Sequence, residues 1–267
     1  MTPMQKEMRI AANGAELRVL IDGAEGKPWL TCLHSLATRA ELWDDQMEEL
    51  TTDFRVLRID ARGHGMSDPK GEPYSFDQLA QDVVAVWDHL GIERSAVLGL
   101  SMGGMTAFGL ALDHPARVTR IVAADCRSDA PEFFRNMWAD RQRILAEKGM
   151  DAIADITIPT WLTEETRSTR PQDVERVRRM ILGTSREGYL GATKALQSLD
   201  YKNRLSGIRC PVGLVVGAAD GPHPAEMRAM AELIPGARLA EVPAAAHLAN
   251  VENPAAFNKE VRSFLSE

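Results

Sequence analysis

Gly99-Leu100-Ser101-Met102-Gly103 decides how this chain is read. The run before it, Ser95-Ala96-Val97-Leu98, has β character. The run after it, Gly104-Met105-Thr106-Ala107-Phe108-Gly109-Leu110-Ala111-Leu112, has helical character. G-x-S-x-G between a strand and a helix describes a turn so sharp that only glycine fits beside the serine, and the hydroxyl is left exposed above the sheet. The pattern therefore predicts a nucleophile at Ser101.

Working outward, apolar runs predict strands at Met8–Ala12, Leu17–Ile21, Trp29–Leu33, Val56–Ile59, Ala96–Leu100, Val118–Ala124, Val212–Val216 and Ala237–Val242. Helical patterns lie between many of them. The clearest starts at Ser75, with Gln78 completing a capping box. Phe76, Leu79, Val83, Trp87 and Leu90 then recur at helical spacing, and Gly91 ends the helix. Further helices are expected at about Glu41–Leu50, Pro224–Ile234 and Pro254–Leu265. Such alternation implies a largely parallel sheet covered on both faces, with the first two strands close enough to form an antiparallel hairpin. The alternation stops between Ser128 and Asp200. Helices are expected there at Glu132–Glu147, Pro171–Leu182 and Arg186–Leu199, without a strand. The organisation predicted is an α/β core over residues 1–127 and 201–267, with an all-helical segment, 128–200, inserted after the sixth strand as a lid over the sheet's carboxyl edge.

The chain has 267 residues, 45% of them hydrophobic, enough for one substantial core. A net charge of −7 argues against nucleic acid as a partner, and any anion site must be built locally. Residues Met1 to Ile10 lack the apolar core of a signal peptide, and the uncharged stretch 95–112, which holds Gly99, Gly103, Gly104 and Gly109 and is barely long enough to span a bilayer, reads as a buried strand and helix. Cys32, Cys126 and Cys210 are odd in number and far apart, which fits reduced thiols in a cytoplasmic protein. Oligomeric state is not legible.

A serine hydroxyl needs a base within hydrogen-bond reach, and the base needs an orienting carboxylate. Among six histidines, His247 is the candidate base. It follows the last expected strand in Ala244-Ala245-Ala246-His247-Leu248, a loop of small residues. His223 is set aside as too near the candidate acid in sequence. That acid is Asp220, just beyond Val212–Val216 in Gly217-Ala218-Ala219-Asp220-Gly221-Pro222, with Asp125 after Val118–Ala124 as its rival. An oxyanion would need preorganised N–H donors. Met102 follows the nucleophile directly, and Leu36 lies in His34-Ser35-Leu36-Ala37 after Trp29–Leu33. The glycine-rich stretch Asp60-Ala61-Arg62-Gly63-His64-Gly65-Met66-Ser67 lacks the Gly-x-Gly-x-x-Gly pattern and reads as a structural loop at the site floor.

These residues resemble the α/β-hydrolase superfamily along nearly the whole chain, in which nucleophile, acid and histidine follow in that order. More closely, the chain resembles the 3-oxoadipate enol-lactonases of aromatic catabolism. The likeness is carried by His34-Ser35-Leu36 with Trp43, by Phe54-Arg55-Val56-Leu57-Arg58 leading into Asp60–Ser67, by Gly99–Met105, and by His247-Leu248-Ala249-Asn250-Val251-Glu252. Trp138 with Arg141, Gly149-Met150, Trp161-Leu162-Thr163 and Gly188-Tyr189 match in the inserted segment. Two positions depart from that family. His223 stands before Pro224 where threonine is usual, and Ala246 before the histidine where glycine is usual. The resemblance implies hydrolysis of a small lactone or ester, with no metal or organic cofactor. Arg141, Arg135 or Lys194 would pair with a substrate carboxylate, and Trp138 and Trp161 would form apolar walls. A broad carboxylesterase, a cofactor-free perhydrolase and a non-catalytic ligand receptor on the same scaffold remain open as alternatives.

Overall fold

The computed structural model describes residues 5–266. Residues 1–4 and 267, which belong to the outer ends of the expected core segments and to the start read as lacking a signal peptide, lie outside the described residues.

Eight strands form one sheet in the order β1-β2-β4-β3-β5-β6-β7-β8. They are β1 (Lys6–Ala12), β2 (Ala15–Asp22), β3 (Trp29–Leu33), β4 (Arg55–Ile59), β5 (Ser95–Leu100), β6 (Val118–Ala124), β7 (Val212–Gly217) and β8 (Arg238–Val242). The expected hairpin is present, β1 pairing antiparallel with β2 in the register Ile10↔Leu17. β2 also pairs antiparallel with β4, and from β4 to β8 every pairing is parallel. Central strands of a parallel sheet are covered on both faces and so read as continuous apolar runs rather than alternating ones. All six residues of β5 are buried, and so are all six of β7. Each fully buried valine or leucine of these strands contributes about 1.5–3 kcal/mol relative to exposure.

The flanking helices are α1 (Met47–Asp53), α2 (Phe76–Leu90), α3 (Met102–Asp113), α8 (His223–Leu233) and α10 (Pro254–Leu265), with a short α9 (Ala249–Glu252) before the last. α2 begins as its sequence predicts, the Ser75 side chain accepting from the Gln78 N–H and Gly91 closing it in a left-handed conformation. The helix expected over Glu41–Leu50 is instead a 3₁₀ segment, Ala40–Gln46, running into α1.

Between β6 and β7 the chain is helical: α4 (Glu132–Trp161), α5 (Glu164–Thr169), α6 (Pro171–Leu182) and α7 (Arg186–Gln197). α6 has the expected bounds. α4 runs well past Glu147, because it is two helices joined at Gly149, whose φ of 77° no right-handed helix contains. α5 was not expected. It is capped by Thr163, which accepts from the Thr166 N–H, and six residues are too few to show an apolar period. Among the described residues no helix is long and apolar enough to cross a membrane. The three cysteines are free. Cys32 and Cys126 are buried and Cys210 only half-buried.

Candidate active site

Parallel strands present their carboxyl ends along one edge, and the singled-out residues sit there. Ser101 follows β5 directly, at φ 53° and ψ −113°, a positive φ that a non-glycine residue adopts only when its surroundings impose it. Those surroundings explain both glycines. A Cβ on Gly99 would overlap the Gly103 carbonyl, and one on Gly103 would overlap the Leu33 carbonyl at the end of β3. The Ser101 N–H donates to the Ala124 carbonyl of the neighbouring strand (2.8 Å), and its own carbonyl accepts from Met105 N–H (3.0 Å) in the first turn of α3.

The contact of Gly103 with Leu33 also brings the loop after β3 against the start of α3. In that loop the Ser35 carbonyl accepts from both the Thr38 N–H and its hydroxyl (3.2 and 2.8 Å), and Ala37 takes a φ of 55°. The turn holds Leu36 buried, and Met102 is the first residue of α3, where helix N–H groups lack intrahelical acceptors.

Asp220 and His247 come from the loops after β7 and β8. Ala218 N–H donates to Val242 carbonyl (2.9 Å) and Ala219 N–H to Ala245 carbonyl (2.8 Å), so the two loops are bound together. A Cβ on Gly217 would strike the Ala245 and Ala246 carbonyls, so only glycine allows this approach. Asp220 Oδ2 then lies 2.8 Å from His247 Nδ1, with both side chains buried. Burial alone would raise the Asp220 pKa. The His247 charge and the hydrogen bonds from His223 and His247 outweigh it and hold the carboxyl well below the usual range.

His223, set aside on sequence, contacts the same oxygen: its Nδ1 is 3.2 Å from Asp220 Oδ2. Nearness in sequence misled here, because Pro222-His223-Pro224 starts α8 and turns the ring back onto the acid. Burial would lower the His223 pKa, but the Asp220 hydrogen bond and charge prevail and hold it above the ordinary imidazole value. The rival acid Asp125 is also buried. Its Oδ1 accepts from the Gly217 N–H (2.7 Å), while burial and the negative charge of Asp220 push its pKa well up.

The inserted helices touch the histidine loop. The indole of Trp161 stacks on His247 with centroids 5.7 Å apart. Glu252, whose role the sequence did not suggest, accepts from Ala246 N–H (2.6 Å) through one oxygen and from Thr163 N–H and hydroxyl (both 2.8 Å) through the other. Trp138 packs edge-on against Phe134, and the Arg141 guanidinium lies over its ring at 5.3 Å while donating to the Thr157 hydroxyl (2.7 Å). Arg135 is tied to the Ala130 carbonyl, and Lys194 is exposed on α7.

The floor loop is held structurally. Asp60 accepts from the N–H groups of Ala40 (2.7 Å) and Met66 (3.0 Å), and Arg62 grips Asp82 on α2 through two nitrogens. Two buried histidines join it to the Leu36 turn. His34 faces the Ser35 carbonyl through Nδ1 and accepts from Ala61 N–H through Nε2 (2.8 Å), an arrangement that fits only the neutral ring. Burial pulls its pKa down to about 4, and burial with the nearby His34 charge takes His64 to about 3. Unfolded histidines titrate near pH ~6.5. Below that pH the unfolded chain gains protons that the folded chain refuses. The stability is therefore intact above about pH 6.5 and is lost as pH falls towards the folded values. Going from about pH 7 to about pH 5 should cost about 2 kcal/mol at each imidazole. His64→Gln is expected to remove one such share, so its urea-unfolding free energy should depend less on pH than that of the native protein. Identical pH dependence would contradict this reading.

An eight-stranded sheet with a strained serine after β5 and an acid–histidine pair after β7 and β8 defines a class. The chain belongs to the α/β hydrolase fold family, whose model matches residues 28–254. Within that family it is 32% identical over 257 residues to 3-oxoadipate enol-lactonase 2 of Acinetobacter baylyi, covering 96% of this chain and 95% of that protein. The solved enol-lactonase of Burkholderia xenovorans superposes with a TM-score of 0.93 at 35% identity, covering 97% of this chain and all of the other. A putative carbamate hydrolase of Azorhizobium caulinodans is 30% identical over 259 residues, 95% of this chain and 96% of that protein.

Proposed function

We propose that this protein is a serine hydrolase that opens a small carboxylate-bearing lactone of the 3-oxoadipate enol-lactone type through an acyl-enzyme. The observation that carries this reading is the buried 2.8 Å contact of His247 Nδ1 with Asp220. It commits Nδ1 to the acid and leaves Nε2 as the nitrogen that can accept a proton. Ser101 Oγ attacks the lactone carbonyl while His247 Nε2 takes its proton, and Asp220 stabilises the imidazolium. The N–H groups of Leu36 and Met102 hold the oxyanion. Collapse breaks the ring C–O bond, and the leaving enolate oxygen takes the proton from His247. The ring-opened product stays tethered as an acyl ester of Ser101. Water then attacks that ester with His247 again as base, and the acid product leaves as the serine is reprotonated.

In this reading the helices of 128–200 are a lid over the site, Trp138 and Trp161 form its apolar walls, and Arg141 pairs with the substrate carboxylate. The Thr157 hydroxyl takes only one of the five N–H donors of Arg141. That its relatives include enol-lactonases and putative carbamate hydrolases supports a reading in which contacts outside the Ser101, Asp220 and His247 set choose the substrate.

Two measurements test this. A fluorophosphonate probe should label one residue per chain, and peptide mass mapping should find it on Ser101. Labelling elsewhere, or none, would overturn the mechanism. In a substrate panel, Arg141→Ala should raise KM for the anionic lactone about 10–100-fold, the worth of a charge-assisted hydrogen bond, and leave p-nitrophenyl acetate unaffected. Equal effects on both substrates would remove the carboxylate contact, and better turnover of neutral esters would favour a broad carboxylesterase.

A further inference from the structure

Three side chains converge where the proposed mechanism uses only two. Asp220, His223 and His247 each offer a ligand atom, and these atoms all lie within 4.8 Å of one another. Both imidazoles present Nδ1 to the same carboxylate, at 2.8 Å for His247 and 3.2 Å for His223. The two rings are tilted by 51° with centroids 5.4 Å apart, so they approach the acid from separate directions. Zinc binds histidine nitrogen and carboxylate oxygen at about 2.0–2.2 Å in a tetrahedron, whose edges are then about 3.3–3.5 Å. The His223–Asp220 distance is already close to such an edge, and the His247–Asp220 distance reaches it by opening about half an ångström. Two neutral imidazoles and one carboxylate are also the ligand types that zinc and its borderline-soft neighbours prefer.

The backbone supports the cluster. Asp220 and His223 are joined by one tight turn, with His223 N–H donating to the Asp220 carbonyl (2.9 Å). The His247 loop is fixed to the Asp220 loop by the Ala219–Ala245 hydrogen bond. The three ligands are thus held by short segments that already touch. His223 is half-buried while the other two are buried, which gives the cluster an accessible side.

We infer that Asp220, His223 and His247 form an inhibitory site for a divalent transition-metal ion of the zinc type, with His223 as the ligand that the proposed mechanism does not use. The bound ion would take Nδ1 of His247 and the carboxylate that orients it. The imidazole would then lose its acid partner and be held by the metal, and proton transfer from Ser101 would stop. Binding needs no redox change: each imidazole donates its Nδ1 lone pair as the Nε2–H tautomer, the Nδ1 proton moving by exchange with solvent to Nε2, and the carboxylate donates an oxygen lone pair; a net proton is released to solvent only from a ring that was protonated. The inhibition rests on the serine-hydrolase reading, whereas the binding does not.

The test uses the full chain, purified with chelator and then freed of it. Cobalt(II) titration should give the visible absorption of a tetrahedral site at one ion per chain. Zinc should displace the cobalt and should inhibit p-nitrophenyl acetate hydrolysis with the same midpoint, reversibly on adding chelator. His223→Thr, with inhibition scored against the variant's own rate in metal-free buffer, should move both midpoints up at least about 100-fold, since loss of a ligand exceeds the 10–100-fold typical of outer-shell changes. His223→Ala serves as a second variant should threonine repack. Ser101→Ala should bind cobalt as the native chain does. Absence of the cobalt spectrum at millimolar metal, or midpoints unchanged in both His223 variants, would overturn the site. Retained hydrolysis in Ser101→Ala would instead overturn the mechanism and leave the metal site standing.

Discussion

Ser101→Ala is expected to lower kcat for p-nitrophenyl acetate by about a million-fold, the loss seen when a triad nucleophile is removed as part of a unit. The argument is geometric. Ser101 is held at a φ of 53°, with its N–H and its carbonyl both committed to hydrogen bonds. The fold imposes this conformation, since neither neighbouring glycine accepts a side chain. Strain of this kind is retained where it presents a group for chemistry. Alanine tolerates that φ about as well as serine, so the variant should fold, with an unchanged circular dichroism spectrum. Residual activity within tenfold of the native enzyme would show that hydrolysis proceeds without this hydroxyl.

Asp220→Asn should cost about 10⁴-fold in kcat, whereas Asp125→Asn should cost less than about tenfold. An amide at 220 can turn its NH₂ towards His247 and favour the wrong tautomer, and it no longer stabilises the imidazolium. Asp125 has a different task. Burial and the charge of Asp220 push its pKa well above the ordinary carboxylate value, and its Oδ1 accepts from Gly217 N–H. An asparagine matches the aspartate in shape and keeps that acceptor without a charge to desolvate. Stopped assays of the two variants at equal enzyme concentration decide the matter. Collapse of kcat in Asp125→Asn alone would move the acid to the end of β6.

The strands were legible because a doubly covered parallel sheet demands uninterrupted apolar runs, and β5 and β7 supply them. The inserted helices were less so. Gly149 and Pro159 look like terminators, yet Gly149 only joins two helical halves of α4 and Pro159 is accommodated near its end. At the candidate site, the placement of Ser101, Asp220 and His247 past strand ends was legible because each follows an apolar run. His223 and Glu252 could not be assigned roles. Their partners lie on the far side of a turn or 89 residues away, at Thr163, and nothing in local spacing reports such contacts.

The Glu252 carboxylate has a wider meaning for how such enzymes diversify. It spans the backbone just ahead of His247 and the residue that opens α5, while Leu248 N–H donates to the Trp161 carbonyl (3.2 Å) and Arg170 donates to the carbonyls of Val251 and Glu252. The second half of the insertion therefore braces the His247 loop and is not a detachable cover. Exchange of substrate chambers between relatives should succeed when the swapped piece ends before Trp161. A graft that replaces Thr163 or Arg170 would misplace the imidazole, whatever new pocket it brought.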